Sequence, residues 1–224
     1  MWLIGLCEMK HILDPFLAFV SVVLISPVFM LVYFVVKIGS DGPVIIRQKR
    51  VGLFGKAFIV YKFRTMVVNA EKLGSSVTTG KDPRITPIGR FLRKTKLDEL
   101  PQLFNVLIGD MSFVGPRPDV PEIIAKYTPE MRRVLEIKPG ITSLATLHFK
   151  NEEELLAKVS NPDEFYEKKL VPLKVKLAME HVDRNSFLFD LKILFQTVWM
   201  ITPFGKLFPI KEHPLVTELK QNLH

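Results

Sequence analysis

The stretch Leu92-Arg-Lys-Thr-Lys-Leu-Asp98-Glu99-Leu-Pro101-Gln-Leu-Phe-Asn-Val-Leu-Ile-Gly109-Asp-Met111 sets two adjacent carboxylates at a helix start, directly behind a run of cations. Pro101 has no backbone donor and clashes with a preceding helical turn, so it is comfortable only in a first turn, and the helix is predicted to begin near Leu97 or Asp98. From there Leu100, Leu103, Phe104, Leu107 and Ile108 recur at helical spacing as one apolar stripe, and Gly109 offers a stop. Acids cap helix starts routinely, for up to about 1 kcal/mol. Here Arg90, Arg93, Lys94 and Lys96 precede the pair, and Arg117 follows in the stiff turn Gly115-Pro-Arg-Pro118. A cap needs no such company, and the pattern points to a site for a phosphate-bearing ligand.

Composition narrows the field. A chain of 224 residues suits one catalytic domain with attachments, and a formal charge of +8 favours phosphates, nucleic acid or anionic lipid as partners. The single cysteine, Cys7, excludes an internal disulfide and any zinc spacing, which fits a reducing cytosolic setting. His11, His148, His181, His213 and His224 are scattered without ligand spacing, so a metal would have to use oxygen ligands.

No residue from Pro15 to Val36 is charged, and the run is long enough at about 1.5 Å per residue to cross a hydrocarbon core of roughly 30 Å. It is too long for a signal peptide, has Pro27 near its middle and lacks a small-x-small cleavage site. A single spanning helix is the simplest reading, but two features oppose it. Pro27 removes a donor halfway, and the Ser26 hydroxyl beside it can satisfy a backbone group so freed. Lys10 and His11 lie before the segment and Lys37, Arg47, Lys49 and Arg50 after it, so both flanks call for the cytosolic side. A helix-break-helix segment that enters and leaves on one face, broken at Ser26 and Pro27, meets both conditions.

Beyond the turn at Gly42-Pro43, Val44 to Val51 and Ala57 to Met66 read as the strands of a hairpin joined through Gly52-Leu-Phe-Gly55. Alternation places Lys62 and Arg64 on one face, Tyr61 and Phe63 on the other, and read in isolation the cations suit a charge-protected strand edge and a phosphate contact equally. The polar stretch from residue 67 to 90 reads as an ordered loop. Glu122 to Ile137 is predicted helical, broken at Thr128-Pro129. Residues 151 to 180 are predicted helical with a capped restart at Asn161-Pro162 and a solvated charged face. Phe187 to Ile201 is apolar but carries Asp190, Lys192 and Gln196, which suits a helix in the core or at a lipid interface. The expected fold is therefore α+β and mostly helical. It has a membrane segment over residues 1–40 and a single cytosolic domain over residues 41–224 with one small β-hairpin and interfacial amphipathic helices.

Nine motifs in order, Lys10-His-Ile-Leu-Asp14, Ser26-Pro27, Gly42-Pro43, Arg47-Gln-Lys-Arg-Val-Gly52, Lys62-Phe-Arg-Thr-Met66, Asp82-Pro-Arg-Ile-Thr86, Gly89-Arg-Phe-Leu-Arg93, Leu97-Asp-Glu-Leu-Pro-Gln102 and Gly109-Asp-Met-Ser-Phe-Val-Gly-Pro-Arg-Pro118, resemble the bacterial sugar transferases called monotopic phosphoglycosyl transferases. The resemblance is dense from residue 10 to 142 and looser afterwards. It implies a re-entrant membrane helix with both ends cytosolic, placing the protein on the cytosolic face of the bacterial inner membrane. It implies transfer of a sugar 1-phosphate from a UDP-sugar to a polyprenyl phosphate, such as undecaprenyl phosphate, with release of UMP. Asp98 resembles the nucleophile that forms a covalent phosphosugar intermediate, and Glu99, with Asp98 beside it, the ligand of a Mg²⁺ ion. The cations left to neutralise phosphate are Lys62, Arg64, Arg90, Arg93 and Arg117.

The departures fall in the last third. The family's Gly-Trp-Ala-Gln and Gly-Arg-Asn become Ser143-Leu-Ala-Thr146 and Phe149-Lys-Asn151, with Lys150 standing in for the arginine as a point charge without its fork. The aspartate usual just before the aromatic pair is also missing from Leu177-Ala-Met-Glu180. A non-catalytic, basic, membrane-anchored lipid-binding protein is the rival reading, but it needs no Asp-Glu pair. No nucleic-acid motif occurs, and one apolar segment is too few for a polytopic enzyme. The sugar, the pathway, the lipid length and the oligomeric state, a homodimer included, stay open.

Overall fold

The computed structural model describes residues 2–74, 77–79, 82–150, 152–184, 186–202 and 204–221. Asn151 and His224 of the readings above lie outside these, as do the side chains of Cys7 and His11. The chain opens with α1, Trp2–Gly39, in which the stretch Ile12–Gly39 is long and apolar enough to cross a membrane and only 11% of its most apolar window is buried. Ala18, Val22, Ile25, Phe29, Val32 and Val36 recur at alternating steps of four and three and form the stripe turned to the rest of the protein, with Ala18, Val32 and Val36 fully covered. Around that stripe Phe16, Phe19, Leu24, Leu31 and Phe34 are exposed.

Helical residues run through Ser26 and Pro27, whereas the sequence predicts two helices with a break between them. The reason is local. Pro27 cannot donate to the carbonyl of Val23 four residues back, but the Ser26 hydroxyl donates to that carbonyl at 2.9 Å. The orphaned acceptor is satisfied within the helix, so the helical path continues past the proline.

The hairpin is present, with β1 (Ile45–Val51) and β2 (Ala57–Phe63) antiparallel in a register that pairs Ile45 with Phe63 and Val51 with Ala57. A closed polar loop leads to α2 (Pro87–Thr95), whose start is capped by the Thr86 side chain accepting from the Gly89 amide at 2.9 Å. Gly89 lies against the backbone of Thr65, where any Cβ would collide. Next comes α3 (Gln102–Leu107), which packs along α1 and closes at Gly109 with φ +87°. Its Asn105, fully buried, donates to the Ile59 carbonyl at 2.6 Å and accepts from the Tyr61 amide at 3.1 Å. The outer edge of β2 is thereby closed by a side-chain amide, where sequence reading allowed for charges to guard it.

A second sheet escaped the sequence. β3 (Ser112–Val114), followed by the short α4 (Pro121–Ile124), pairs in parallel with β4 (Gly140–Thr142). These strands fix both ends of the excursion that carries Gly115-Pro-Arg-Pro118. The helix expected over Glu122 to Ile137 is reduced to α4 and a 3-10 stretch at Met131–Glu136, because Pro121 and Pro129 leave too little uninterrupted chain.

The remainder is helical: α5 (Leu144–His148), α6 (Glu152–Leu156), α7 (Pro162–Phe165, capped by Asn161), α8 (Val171–Arg184), α9 (Phe187–Ile201), α10 (Phe204–Leu207) and α11 (Pro214–Gln221). Val114, Leu144, Leu147, Leu156, Leu177, Ile193 and Val216 make their shared core. α9 satisfies both readings offered for it. Ile193 and Asp190 are buried, while Leu188, Leu191, Phe195 and Val198 form an exposed apolar stripe at helical spacing. A smaller core of Val32, Val36, Val44, Phe63 and Leu92 ties the last turns of α1 to the hairpin and α2.

Candidate active site

The carboxylate pair sits at a junction of three short pieces. α2 ends in Lys96, which adopts the left-handed conformation at φ 59°, and the chain then makes one 3-10 turn over Leu97–Glu99 before α3 begins at Gln102. The helix start expected at Leu97 or Asp98 is thus split in two. Pro101 has no N–H to offer the Leu97 carbonyl, which instead accepts from the Leu100 amide at 3.3 Å, the tighter 3-10 bond. Neither carboxylate caps α3, so a capping role does not account for them.

Both acids are buried, at 8% exposure each, yet their surroundings differ. Glu99 Oε1 accepts from Lys62 Nζ at 3.1 Å and from Arg117 Nη2 at 2.7 Å. Burial works to raise its pKa, but Arg117 and then Lys62 outweigh it and hold Glu99 well below the usual carboxylate range. Asp98 is pushed up to about 6, first by burial and second by the Glu99 charge, with Lys62, Lys96 and Arg93 only partly offsetting. Its Oδ1 is buried without a hydrogen-bond partner. One acid is therefore fixed between two cations, and its neighbour is more basic and open to a new bond.

Three predicted cations converge on the pair, Lys62 from β2, Arg93 from α2 and Arg117 from the turn after β3, and Lys96 just past α2 joins them. Arg93 is set by its Nε donating to Thr65 Oγ1 at 3.0 Å, and its Nη1 donates to Glu153 Oε1 at 2.7 Å. Three other candidates are elsewhere. Arg64, expected on the Lys62 face, lies beyond the end of β2 and donates to the Ser40 carbonyl at 2.7 Å, to Ser40 Oγ at 2.9 Å and to the Pro43 carbonyl. The free carbonyls ending α1 draw this guanidinium into the interior, away from any ligand. Lys150 donates to the Met200 carbonyl in the last turn of α9 at 2.9 Å, again serving a helix end in place of the expected phosphate. Arg90 is exposed on α2.

The sequence missed an acidic outer wall. The charges of residues 151 to 180 were expected on a solvated face, but Glu153 of α6 takes Arg93 and Glu152 takes Lys174 Nζ at 2.5 Å. Lys174 also lies 4.7 Å above the Tyr166 ring. Glu152 and Tyr166 are close enough to Arg117 to raise its pKa further, after the dominant effect of Glu99. The only local signal was the acidic run Glu152-Glu-Glu154 facing no basic run of its own.

Among the described residues no group of three His, Cys, Asp or Glu side chains could hold a metal ion. Mg²⁺ does not require one, since it is usually bound through one or two carboxylates with water and substrate phosphate completing the shell. Asp98, with an unpartnered buried oxygen, and Glu99, whose Oε2 has only Arg117 Nη1 at 3.5 Å against it, fit that demand.

The sequence pattern of the bacterial sugar transferase family matches residues 6–203. The UDP-glucose:undecaprenyl-phosphate glucose-1-phosphate transferase of Escherichia coli is 38% identical over 199 residues, covering 85% of this chain and 39% of that protein. An uncharacterized sugar transferase, EpsL, of Bacillus subtilis is 37% identical over 190 residues, 85% of each chain. A putative undecaprenyl-phosphate N-acetylgalactosaminyl 1-phosphate transferase of the same organism is 42% identical over 133 residues, 59% of this chain and 70% of its own. The chain spans about two fifths of the length of the Escherichia coli and Klebsiella pneumoniae relatives it matches.

Proposed function

Since the chain belongs to the bacterial sugar transferase family, we propose that it moves a sugar 1-phosphate from a UDP-sugar to a polyprenyl phosphate and releases UMP. The observation that carries this reading is the pairing of a Glu99 fixed by Lys62 and Arg117 with a buried Asp98 whose Oδ1 has no partner and whose pKa is pushed up to about 6. Such a carboxylate is more basic than an ordinary one yet ionised at neutral pH, which suits a nucleophile.

Asp98 attacks the phosphorus next to the sugar, and the bond from that phosphorus to the bridging oxygen of UMP breaks, its electron pair leaving with UMP. The sugar phosphate is then an acyl phosphate on Asp98. An oxygen of the lipid phosphate attacks the same phosphorus, and the bond to Asp98 breaks to return the carboxylate. Repulsion between three anions is the obstacle, and Lys62, Arg93, Lys96 and Arg117 are placed to lower it. Mg²⁺ held by Asp98 and Glu99 would supply further neutralisation of phosphate charge.

A lipid acceptor calls for attachment to a bilayer, and the exposed apolar surfaces of α1 and α9 suit it. Both ends of α1 are tied to the same body: Lys10 pairs with Asp190 of α9 and donates to the Val114 carbonyl at 3.1 Å, while Ser40 is held by Arg64. That arrangement supports a monotopic, re-entrant placement on the cytosolic face of the bacterial inner membrane, with residues 41–224 as the catalytic domain.

Detergent-purified protein incubated with UDP-sugars and Mg²⁺ is expected to release about one UMP per enzyme without lipid and to turn over once polyprenyl phosphate is added, with a mass increment of one sugar phosphate on the protein in the first case. UMP that appears only together with lipid, and no trapped adduct, would favour direct transfer. No UMP under either condition would overturn the reading. In inside-out membrane vesicles, single cysteines beside Lys10 and Ser40 in a Cys7-free chain should both react with an impermeant reagent, and labelling of only one would mean a spanning helix.

A further inference from the structure

Asp98 Oδ1 is not the only unsatisfied atom at this junction. Gln102, 2% exposed, has its side-chain Nε2 buried without a partner. Leu100 and Pro101 between them have right-handed helical dihedrals, so residues 98 and 102 lie little more than one helical turn apart along the chain. One orphan accepts and the other donates, yet they do not satisfy each other. A buried amide donor left unpaired costs folding free energy, and an apolar side chain of the same size would avoid that cost. The native residue is therefore unfavourable for the free protein, and an acceptor arriving at this junction would repay it.

We infer that Gln102 is a catalytic residue of this site, its amide donating to a non-bridging oxygen of the phosphoryl group as that group passes to and from Asp98. The inference rests on the transfer reading above. A neutral donor suits this position, because it binds the oxygen in the pentacoordinate state without pairing with Asp98 beforehand, as a lysine would.

Gln102→Met, which keeps volume and removes the donor, is the test, with wild type in parallel. The expected outcome is a fall in kcat of about 10²-fold with the donor KM within about threefold, the mark of a bond made mainly in the transition state. The ligand-free thermal midpoint should hold within about 2 °C or rise, which a structural amide would not allow. Gln102→Glu, isosteric and without the donor, should be at least as slow. Wild-type kcat in either variant overturns the assignment, and so does a Gln102→Met protein that fails to fold or loses midpoint and activity together. Wild type that releases no UMP overturns the transfer reading first and this one with it.

Discussion

The inner and outer walls of the site hold their charges in opposite ways. Inside, Lys62, Glu99 and Arg117 form a clamp in which the carboxylate is nearly enclosed and every oxygen is engaged. Outside, Glu153 meets Arg93 with its side chain 41% exposed, a pair that water and salt can reach. The inner wall is thus fixed by the desolvation of Glu99, since removing Lys62 or Arg117 strands its buried charge, while the outer wall is exchangeable. An incoming phosphate can replace Glu153 on Arg93 but has no comparable route to displace Arg117 from Glu99. On the transfer reading, the same kind of ion pair is scaffold in one place and a stand-in for substrate in the other.

Asp98→Asn tests this contrast most severely. Turnover should fall at least about 10³-fold, because an amide cannot attack phosphorus, and the mass adduct should vanish. Stability should move the other way. The raised pKa means that folded Asp98 keeps its proton between about pH 4 and 6 where the unfolded chain has lost it, so its contribution to stability declines as pH rises through that window and stays lost above it. The variant should unfold at a higher denaturant midpoint than wild type at pH 7.5 and lose the advantage near pH 4. Wild-type kcat should in turn drop about tenfold per unit below pH 6 as the nucleophile is protonated. A flat rate from pH 7.5 to 5 would break the assignment.

Arg117→Met opens the inner clamp. With Lys62 still in place and Arg117 partly open to solvent, the cost should be about 2 kcal/mol in urea unfolding, accompanied by loss of activity. An unchanged urea midpoint would mean that the clamp is no stronger than a surface pair. Glu153→Gln should do least. The pair it breaks is worth under about 1 kcal/mol, but it removes a competitor for Arg93, so the donor KM should fall about two- to fivefold with kcat unchanged. A rise in KM would show Glu153 acting as a donor contact and not as its substitute.

The inner wall was legible from sequence because it is written locally. Pro101 after Asp98-Glu99, the alternation through Lys62 and the Gly-Pro-Arg-Pro turn each constrain a few consecutive residues, and the structure brings those pieces together. The start and end of α9 at Phe187 and Ile201 were equally clear, with Ser186 capping it. What failed was the destination of charges. A sequence does not show whether Arg64 or Lys150 will meet a ligand or the carbonyls at a helix end, and both went to helix ends. Glu153 reaches Arg93 across sixty residues, and β3 pairs with β4 over strands of three residues each, too short to leave a pattern. At Ser26-Pro27 helical residues run on where two separate helices were expected, since the hydroxyl that satisfies the Val23 carbonyl lets the helical path pass the proline.

Asn105 has a consequence for life on a surface. Proteins confined to a bilayer diffuse in two dimensions and meet side-on far more often than in solution, and a hairpin with an open strand edge would offer each neighbour a template for continuing the sheet. By occupying the Ile59 carbonyl and the Tyr61 amide together, one buried amide removes that template. The hairpin that carries Lys62 to Glu99 is thereby closed to strand exchange on that edge, however densely the membrane is populated.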